Sequence, residues 1–390
     1  MTAVDGEFLR RALELAEGGR GRVSPNPLVG AVIVRDGELI GEGFHAELGD
    51  LHAERAALVD CLRRGEDPAG ATMYVTLEPC AHHGRQPPCV EAILEAGIAR
   101  VVIASEDPTE KAAGRGPGIL RDGGVDICVA AGAEAAAARL LNQSFRKHGR
   151  TGLPLVILKL AMSLDGQTTT GPGESPWISG ELSRAMVHGW RSEADAIAVG
   201  IGTAIADDPL LTARYADARQ PVRVVFDSEA RLPLDSQLLA TLEESPVLVV
   251  TAPDADPDRA RALRDAGAEI LVAGGATQPD RVRTALADLG RRGVTSLFLE
   301  GGQTLVSAFV AADQVDESRV FVAPMLLGEA PGARRAGPVA AASPTVLGAR
   351  GASAPRGTPA PTPPARVAAL ESRAESVGED TLITARFKEW

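Results

Sequence analysis

The sequence predicts two successive α/β domains, on the strength of its length and of two patterns of strands and helices. Its 390 residues exceed what one typical core organises. In residues 1–149, strand-like and helix-like segments interleave as in a small α/β sandwich. From residue 150 to 390, strands alternate with helices, which is typical of a mostly parallel sheet. The boundary is placed at Gly149, within a segment that has little apolar period and ends in Gly and Pro.

The first domain begins with an amphipathic helix and continues with a hairpin. The apolar positions of the helix are Phe8, Ala12, Leu15 and Ala16. The run "LVGAVIVRDGELIGEGFH" predicts two strands joined at Asp36-Gly37, and a helix follows over residues 52–64. "ATMYVTLEP" and "RVVIASEDP" predict further strands on either side of the short helix "CVEAILEAG". Helices and strands therefore interleave throughout this domain.

The second domain opens with the strand "LPLVILKLAMS". Further strands are predicted at "AIAVG", "PVRVVFD", "PVLVVTA", "AEILVAG", "SLFLEGG" and "RVFVAPMLLG", with helices between several of them. Residues 329–366 are rich in Ala, Pro, Gly, Ser and Thr, a composition that buries little and predicts a loop or linker. "DTLITARF" then predicts a last strand that returns to the sheet.

Composition and charge exclude several classes of function. The net charge of −12 argues against a broad nucleic-acid surface, and 3% aromatic residues leave few platforms for stacking bases. No apolar run is long enough for a membrane helix, and the first residues lack the pattern of a signal peptide. We therefore expect a cytoplasmic protein without a membrane partner, whose four cysteines are thiols or metal ligands.

One histidine, one glutamate and two cysteines predict a catalytic zinc site. His52, Cys80 and Cys89 are three Zn²⁺ ligands, which leaves the fourth tetrahedral position for water. Glu54 lies two residues after His52 and can shuttle protons between that water and a leaving amine, as in zinc deaminases of bases. The alternative is a closed structural site in which His82 or His83 is the fourth ligand.

The segment "LFLEGGQTL" predicts a second site, for a phosphate or pyrophosphate. Gly301 and Gly302 follow a strand and precede a helix, so bare main-chain amides face outward at the helix N-terminus. The alternative is a tight turn with no ligand. By contrast, Gly200-Ile201-Gly202 is rejected as a dinucleotide-binding fingerprint because Ile205 stands where the third glycine belongs.

The motifs "SPNPLVGAVIV", "GEGFHAELGDLHAE", "TLEPCAHHGRQPPC" and "GRGPGIL" resemble the cytidine-deaminase-like domain of the bifunctional riboflavin-biosynthesis deaminase/reductase family. The resemblance implies that the pyrimidine and its ribose phosphate contact Glu54 and the set Asn26, His45, His82 and Arg85. An Asn side chain suits a base edge, and an Arg fork suits a phosphate. Taken singly, Asn26 is also a turn former, and His45 and Arg85 are equally compatible with plain exposure.

The downstream motifs "KLAMSLDGQTTT", "SPWIS", "HGWRSEADAIAVGIGTAIADDPLLTAR" and "LFLEGGQTL" resemble the reductase domain of the same family, which has a dihydrofolate-reductase-like fold and uses NADPH. The resemblance places NADPH against Ala161, Trp177, Thr203, Asp207, Ser228, Gly301, Gly302, Gln303 and Thr304. It places the substrate against Ser175, Arg191, Leu211, Arg214 and Glu300. The alternatives are a core aromatic for Trp177 and, for Asp207 or Asp208, a helix cap before Pro209. Lys159 and Asp165 are expected to line the same cleft, with a buried ion pair between them as the alternative.

One segment departs from the family pattern. Where the family has Asp-Pro-Asn-Pro, this chain has "DPTE", so Thr109 and Glu110 replace an asparagine and a proline near the substrate. We expect this change to affect the contacts with the substrate phosphate and to leave the metal chemistry intact.

The combined prediction is a bifunctional enzyme of riboflavin biosynthesis. It deaminates a phosphorylated diamino-pyrimidinone and then reduces the ribosyl group to ribityl with NADPH. We expect a small-molecule phosphorylated pyrimidine substrate and a homo-oligomer, either a dimer or a tetramer. The alternatives are a nucleotide or base deaminase with an inactive reductase-like domain, and a binding protein with structural zinc.

Overall fold

Two β-sheets organise the chain. The computed structural model describes residues 3–83, 86–109, 112–170, 177–215, 218–328 and 367–390. Arg85, Glu110, Ser175 and the Ala/Pro-rich stretch 329–366 lie outside these ranges, so the predictions made for them stay predictions. Within the described ranges, no helix combines the length and the apolar character needed to cross a membrane.

The first sheet has the strand order β2-β1-β3-β4-β5. Its strands are β1 (Gly30–Arg35), β2 (Glu38–Phe44), β3 (Thr72–Val75), β4 (Arg100–Ile103) and β5 (Asp126–Val129). The hairpin predicted at Asp36-Gly37 is confirmed, because β1 and β2 pair antiparallel and both turn residues have positive φ angles. Strand β1 also runs antiparallel to β3, whereas β3, β4 and β5 are parallel.

Helices cover both faces of the first sheet, so the predicted sandwich is confirmed. On one face, α1 (Ala3–Ala16) and α5 (Ala133–Leu141) bury Leu9, Ala12, Ala135 and Ala138 against the strands. On the other face, the buried residues come from α2 (Ala53–Arg63), α3 (Cys89–Glu95) and α4 (Arg115–Asp122). A single 3₁₀ turn, Glu17–Gly19, follows α1.

The second sheet has the order β10-β9-β8-β7-β11-β6-β12-β14-β13. Its strands are β6 (Leu155–Ser163), β7 (Ala196–Gly200), β8 (Val222–Phe226), β9 (Val247–Thr251), β10 (Glu269–Val272), β11 (Ser296–Leu299), β12 (Glu317–Ala323), β13 (Glu371–Val377) and β14 (Asp380–Arg386). All pairs from β10 to β12 are parallel, and β14 and β13 complete the sheet in antiparallel pairs. The mostly parallel sheet is therefore confirmed, including the returning last strand.

Two helical layers enclose this second sheet. One layer consists of α7 (Glu181–Glu193), α8 (Ile201–Asp207), α9 (Gln237–Ala240) and α10 (Pro257–Asp265). The other consists of α11 (Gln278–Arg291) and α12 (Gln303–Ala311), which pack Leu286, Leu289 and Phe309 onto the strands.

Helix α6 (Gln143–Thr151) connects the two sheets. Gly149, the predicted boundary, lies inside this helix, so the chain is helical where the sequence pattern favoured irregular structure. The helix buries three polar side chains, Gln143, Arg146 and Lys147, each no more than 3% exposed. The position of the domain boundary itself stays a prediction.

The strand directions bring the predicted functional segments to common edges. Because β1 is antiparallel to both β2 and β3, strands β2, β3 and β4 all run the same way. The segments that follow them, which carry His52, Cys80 and Thr109, therefore leave the same edge of the first sheet. The segment before β1, which carries Asn26, lies at this edge as well.

Candidate active sites

His52, Cys80 and Cys89 form a cluster with the donor spacing of a metal site. His52 immediately precedes α2, and Cys89 is the first residue of α3. Nδ1 of His52 lies 3.5 Å from Sγ of Cys80 and 3.4 Å from Sγ of Cys89. Donor atoms about 3.6 Å apart are what tetrahedral zinc with Zn–N and Zn–S bonds of about 2.0 and 2.3 Å requires. The residues therefore fit a zinc ion.

The electrostatics of the cluster favour a thiolate at Cys80. The hydrogen bond from the Cys89 thiol, together with His52, lowers the pKa of Cys80 to about 4. The main-chain N–H of Cys89 also donates to Sγ of Cys80 over 3.3 Å. Thiolates are the form that binds zinc, so the protein has preorganised this ligand.

The fourth corner of the site has no described protein ligand. Within the described ranges, the potential ligands that meet at this point are His52, Cys80 and Cys89 alone. His82 and His83 are both exposed, and His83 lies 3.5 Å from Glu91 instead. The alternative of a closed site with His82 or His83 as the fourth ligand is therefore wrong.

Glu54 lies in the first turn of α2, beside the cluster, and is 4% exposed. Burial, followed by the charge of Cys80, raises the pKa of its carboxyl group to about 7. A buried carboxyl group that can hold or release a proton near neutral pH is the group a general acid–base step needs.

Asn26 and His45 form a fixed pair at the same edge of the sheet. Nδ1 of His45 lies 3.1 Å from the main-chain oxygen of Leu51, which can only accept, so Nδ1 carries the proton. Nε2 of His45 then accepts from Nδ2 of Asn26 over 3.1 Å. Burial lowers the pKa of His45, which keeps the ring neutral. His45 thus fixes the orientation of the Asn26 side-chain amide.

The segment after β4 packs against the segment that leads to Cys80. Main-chain N–H groups of Gly114 and Asp107 donate to Oε2 of Glu78 over 3.1 and 3.5 Å. Thr109 directs both its N–H and its hydroxyl to Oδ1 of Asp107, at 2.8 and 2.6 Å. Thr109 therefore uses its hydroxyl to hold its own turn.

In the second domain, Glu300 collects two cations at the carboxyl end of β11. Its carboxylate accepts from Nε and Nη2 of Arg191 over 2.7 and 3.1 Å, and Nζ of Lys159 lies 3.8 Å away. Burial opposes the charge of Glu300, yet Arg191 and Lys159 together hold its pKa below the usual value. The alternative that paired Lys159 with Asp165 is wrong, because Asp165 accepts instead from Ser163 and the N–H groups of Leu327 and Gly328.

Two helix N-termini meet at the point where the strand order of the second sheet reverses. Helices α8 and α12 follow the neighbouring strands β7 and β11, and Gly200 and Gly302 precede their first turns. A Cβ on Gly302 would lie 3.3 Å from Oγ1 of Thr203, so the two turns are close. Such a crevice at a switch point is where open α/β sheets bind dinucleotides.

The other predicted cofactor residues lie around this edge with varied exposure. Gln303 and Thr304 begin α12, Ser228 follows β8, and Ala161 lies on β6. Asp207 is the last residue of α8 and Asp208 is its C-cap, so the alternative of a helix cap before Pro209 is confirmed for Asp208. Trp177 is 57% exposed with the Arg184 guanidinium 5.1 Å from its ring centroid, so the core alternative is wrong.

Leu211 and Arg214 flank Thr212, whose main-chain oxygen binds Arg191, and sequence reasoning missed both Thr212 and its second partner, His188. The main-chain oxygen of Thr212 accepts from Nη1 of Arg191 over 3.2 Å and lies 3.2 Å from Nδ1 of His188. Leu211 is buried with φ +56°, while Arg214 is exposed. The signal for His188 was its place one helical turn before Arg191 on α7.

Comparison with known proteins assigns both halves of the chain. Residues 2–105 match the cytidine and deoxycytidylate deaminase zinc-binding region, and residues 154–353 match the RibD C-terminal domain. The riboflavin biosynthesis protein RibD of Actinobacillus pleuropneumoniae is 42% identical over 327 residues, 84% of this chain and 85% of that protein. The RibD protein of Escherichia coli is 39% identical over 351 residues, 83% of this chain and 89% of that protein.

Two solved structures of related proteins align with almost the whole chain. The deaminase/reductase of Thermotoga maritima is 32% identical, covers 99% of both chains and has a TM-score of 0.80. RibD of Acinetobacter baumannii is 35% identical with the same coverage and a TM-score of 0.78.

Fold and sites together define a two-domain enzyme, with a zinc-dependent deaminase sandwich followed by a reductase domain built on a mostly parallel sheet. The chain belongs to the RibD family of riboflavin biosynthesis proteins. It is accordingly a bifunctional deaminase and reductase, and its cofactors are Zn²⁺ and NADPH.

Proposed function

We propose that this chain catalyses two successive steps on one phosphorylated pyrimidine. The first is hydrolytic deamination of 2,5-diamino-6-(5-phosphoribosylamino)pyrimidin-4(3H)-one. The second is NADPH-dependent reduction of the ribosyl group of the product to ribityl. The observation that carries the proposal is the set of three zinc ligands with a buried carboxyl group, Glu54, and no fourth described ligand.

In the deaminase half, His52, Cys80 and Cys89 would hold a zinc ion, which would supply an activated water at its open position. The Glu54 carboxyl group would accept a proton as the water attacks and return one to the departing amine, which leaves as ammonia. Asn26 and His45 orient the pyrimidine. His82 and Arg85 lie in the segment between the two cysteines and contact the substrate from there.

In the reductase half, the nicotinamide supplies hydride, and the protein orients the two reactants. Gly301, Gly302, Gln303 and Thr304 present main-chain amides to the pyrophosphate, with Thr203 opposite. Ala161, Trp177, Asp207 and Ser228 complete the NADPH site. The substrate lies against Ser175, Arg191, Leu211, Arg214 and Glu300, where the ion pair with Glu300 holds the Arg191 guanidinium in place.

Location and assembly follow from the same proposal. A substrate formed and consumed in metabolism suits a cytoplasmic enzyme, and the net charge of −12 does not suit a nucleic-acid partner. We place residues 1–149 in the deaminase domain and 150–390 in the reductase domain. We expect a homo-oligomer, either a dimer or a tetramer.

The test is to incubate the protein with the diamino-pyrimidinone substrate, with and without NADPH, and to follow ammonia and cofactor absorbance. Glu54→Gln should retain zinc and lose ammonia release by about 10²- to 10⁴-fold, because the amide cannot move a proton. Its reduction of separately supplied deaminated substrate should remain normal.

Normal ammonia release by Glu54→Gln would refute the role of Glu54 as the group that moves the proton. No ammonia release by the zinc-loaded wild-type protein would refute the deaminase assignment. Ammonia release without any oxidation of NADPH would refute the reductase assignment and favour a deaminase with an inactive second domain.

A further inference from the structure

Helix α6 buries a row of polar side chains between the two sheets. Gln143, Arg146 and Lys147 are 3%, 1% and 1% exposed. Burying such groups is unfavourable unless each has partners. The partners of these three residues lie on both sides of the helix, in the deaminase half and, in the reductase half, at Asp316 and Trp390.

On the deaminase side, Arg146 holds the segment that follows β4. Its Nη1 donates to Oγ of Ser105 over 3.0 Å and to the main-chain oxygen of Glu106 over 3.2 Å. Its Nη2 donates to Oε1 of Glu106 over 2.6 Å. One planar guanidinium therefore fixes both the main chain and the side chains of this segment.

On the reductase side, Trp390 fixes Arg146. The main-chain oxygen of Trp390 accepts from Nε of Arg146, and its N–H donates to Oε1 of Gln143 over 3.0 Å. The indole N–H donates to Asp316 over 3.0 Å, and Asp316 also pairs with Lys147. The orientation of Arg146 is thus set by the irregular segment that follows β14.

The segment held by Arg146 borders the zinc site. The main-chain oxygen of Ser105 accepts from the N–H of Glu78 over 2.9 Å, and the N–H of Asp107 donates back to the Glu78 carboxylate. Glu78 is two residues before Cys80. A second contact reaches the segment before β1, where the Asn142 side chain accepts from the N–H of Leu28 over 2.8 Å and donates to its main-chain oxygen over 2.9 Å. Leu28 is two residues after Asn26.

We propose that Arg146, held in place by the main chain of Trp390, is a positioning residue for the deaminase reaction. It holds residues 105–109 as one wall of the pyrimidine site, so that the geometry of the deaminase pocket depends on the reductase half of the chain. This inference rests on the proposed function for the deaminase assay, while the structural part can be measured without turnover.

The experiment compares Arg146→Lys with Arg150→Lys in the full-length, zinc-loaded protein. Arg150 lies on the same helix, 41% exposed, and reaches the same Glu106 carboxylate at 3.5 Å, but no hydrogen bond to the main chain of residues 105–106 is among its described contacts. Arg146→Lys should raise KM for the diamino-pyrimidinone about tenfold with a smaller change in kcat. Its zinc content and its reduction of supplied deaminated substrate should stay at the wild-type level, and Arg150→Lys should match wild type throughout.

A second variant weakens the contact that holds Arg146 without changing the arginine itself. Trp390→Phe keeps the main-chain oxygen that accepts from Arg146 but loses the indole bond to Asp316 that anchors this residue. It should therefore also raise the deaminase KM, although it lies in the reductase half. Wild-type KM in both Arg146→Lys and Trp390→Phe, or an equal rise in Arg150→Lys, would overturn the proposal. If Arg146→Lys does not fold, the deaminase KM of Trp390→Phe alone tests the proposal.

Hydrogen exchange separates this inference from the proposed function. If the wild-type protein releases no ammonia, the proposed function fails, and exchange at amides 105–109 decides about Arg146. Faster exchange there in Arg146→Lys than in Arg150→Lys supports the positioning role, and equal exchange refutes it.

Discussion

At the scale of single residues, burial decides what each charged group can do. Glu54 and Glu300 are both buried carboxyl groups, yet their pKa values move in opposite directions. Glu54 lies beside a thiolate, which adds to the effect of burial. Glu300 lies beside Arg191 and Lys159, whose positive charges outweigh the effect of burial on its pKa. The first is suited to moving protons, and the second to holding cations in fixed places.

The Glu300 ion pair makes a prediction for stability against pH. Glu300→Gln leaves Arg191 and Lys159 without their carboxylate and should lower the free energy of unfolding at pH 7 by about 3 kcal/mol. Because the folded-state pKa of Glu300 is lowered, its contribution is present above the usual pKa of about 4.3 and is lost as pH falls through the folded value. The difference between wild type and variant should therefore shrink below about pH 4.

Urea denaturation at pH 7 and in the acid range measures this difference. Glu269→Gln is the control, because Glu269 is 58% exposed in its pair with Arg292 and should show no comparable effect. A wild-type advantage that stays constant through the acid range would contradict the account of Glu300.

At the scale of elements, close contact of α4 with the zinc segment explains the motif "GRGPGIL". A Cβ on Gly116 would lie 2.1 Å from the main-chain oxygen of Pro79, next to Cys80. A Cβ on Gly118, in the same helix, would meet nothing within 4 Å. The helix can approach Cys80 only because residue 116 has no side chain.

Gly116→Ala should therefore displace the segment that carries Cys80, with weaker zinc retention and lower deaminase activity. Gly118→Ala should be neutral or stabilising by about 0.5–1 kcal/mol, because alanine is the better helix former. Zinc content after dialysis against a chelator, together with ammonia release, measures both variants. Equal zinc retention in the two would exclude steric contact as the reason for the glycine.

The elements also show which parts of the fold the sequence patterns predict and which they do not. The hairpin, the strands with apolar runs and the zinc ligands were predictable, because each depends on local periodicity or on ligand chemistry. Strand β13, "ESRAESV", was not, because it is exposed along almost its whole length and has no apolar face. Helix α6 was missed for the opposite reason: its buried side chains are polar, and their partners lie far away in sequence. The Lys159–Glu300 contact is equally non-local.

At the scale of the whole molecule, α6 and Trp390 connect the stability of the two halves. NADPH binds in the second half, and at about one hundred times its Kd it should stabilise the folded state by about 2.7 kcal/mol. Since α6 buries side chains against both halves, that stabilisation should also delay unfolding of the zinc site. On addition of NADPH, the temperature at which zinc is released to a chromogenic chelator should rise. The midpoint temperature of the unfolding transition followed by tryptophan fluorescence should rise with it.

Zinc release at an unchanged temperature, beside a shifted fluorescence transition, would mean that the halves unfold independently. Trp390→Phe is the matched variant, in which the two transitions should separate.

The outer strand of the second sheet has a consequence for how copies of the chain meet. In the described ranges, β13 pairs with β14 alone, so its other side presents main-chain donors and acceptors to solvent. Its alternating Glu371, Arg373 and Glu375 make indiscriminate strand addition costly. A second chain could add to β13 only if its own charges matched those side chains in register. This edge therefore favours a specific partner strand and disfavours non-specific aggregation.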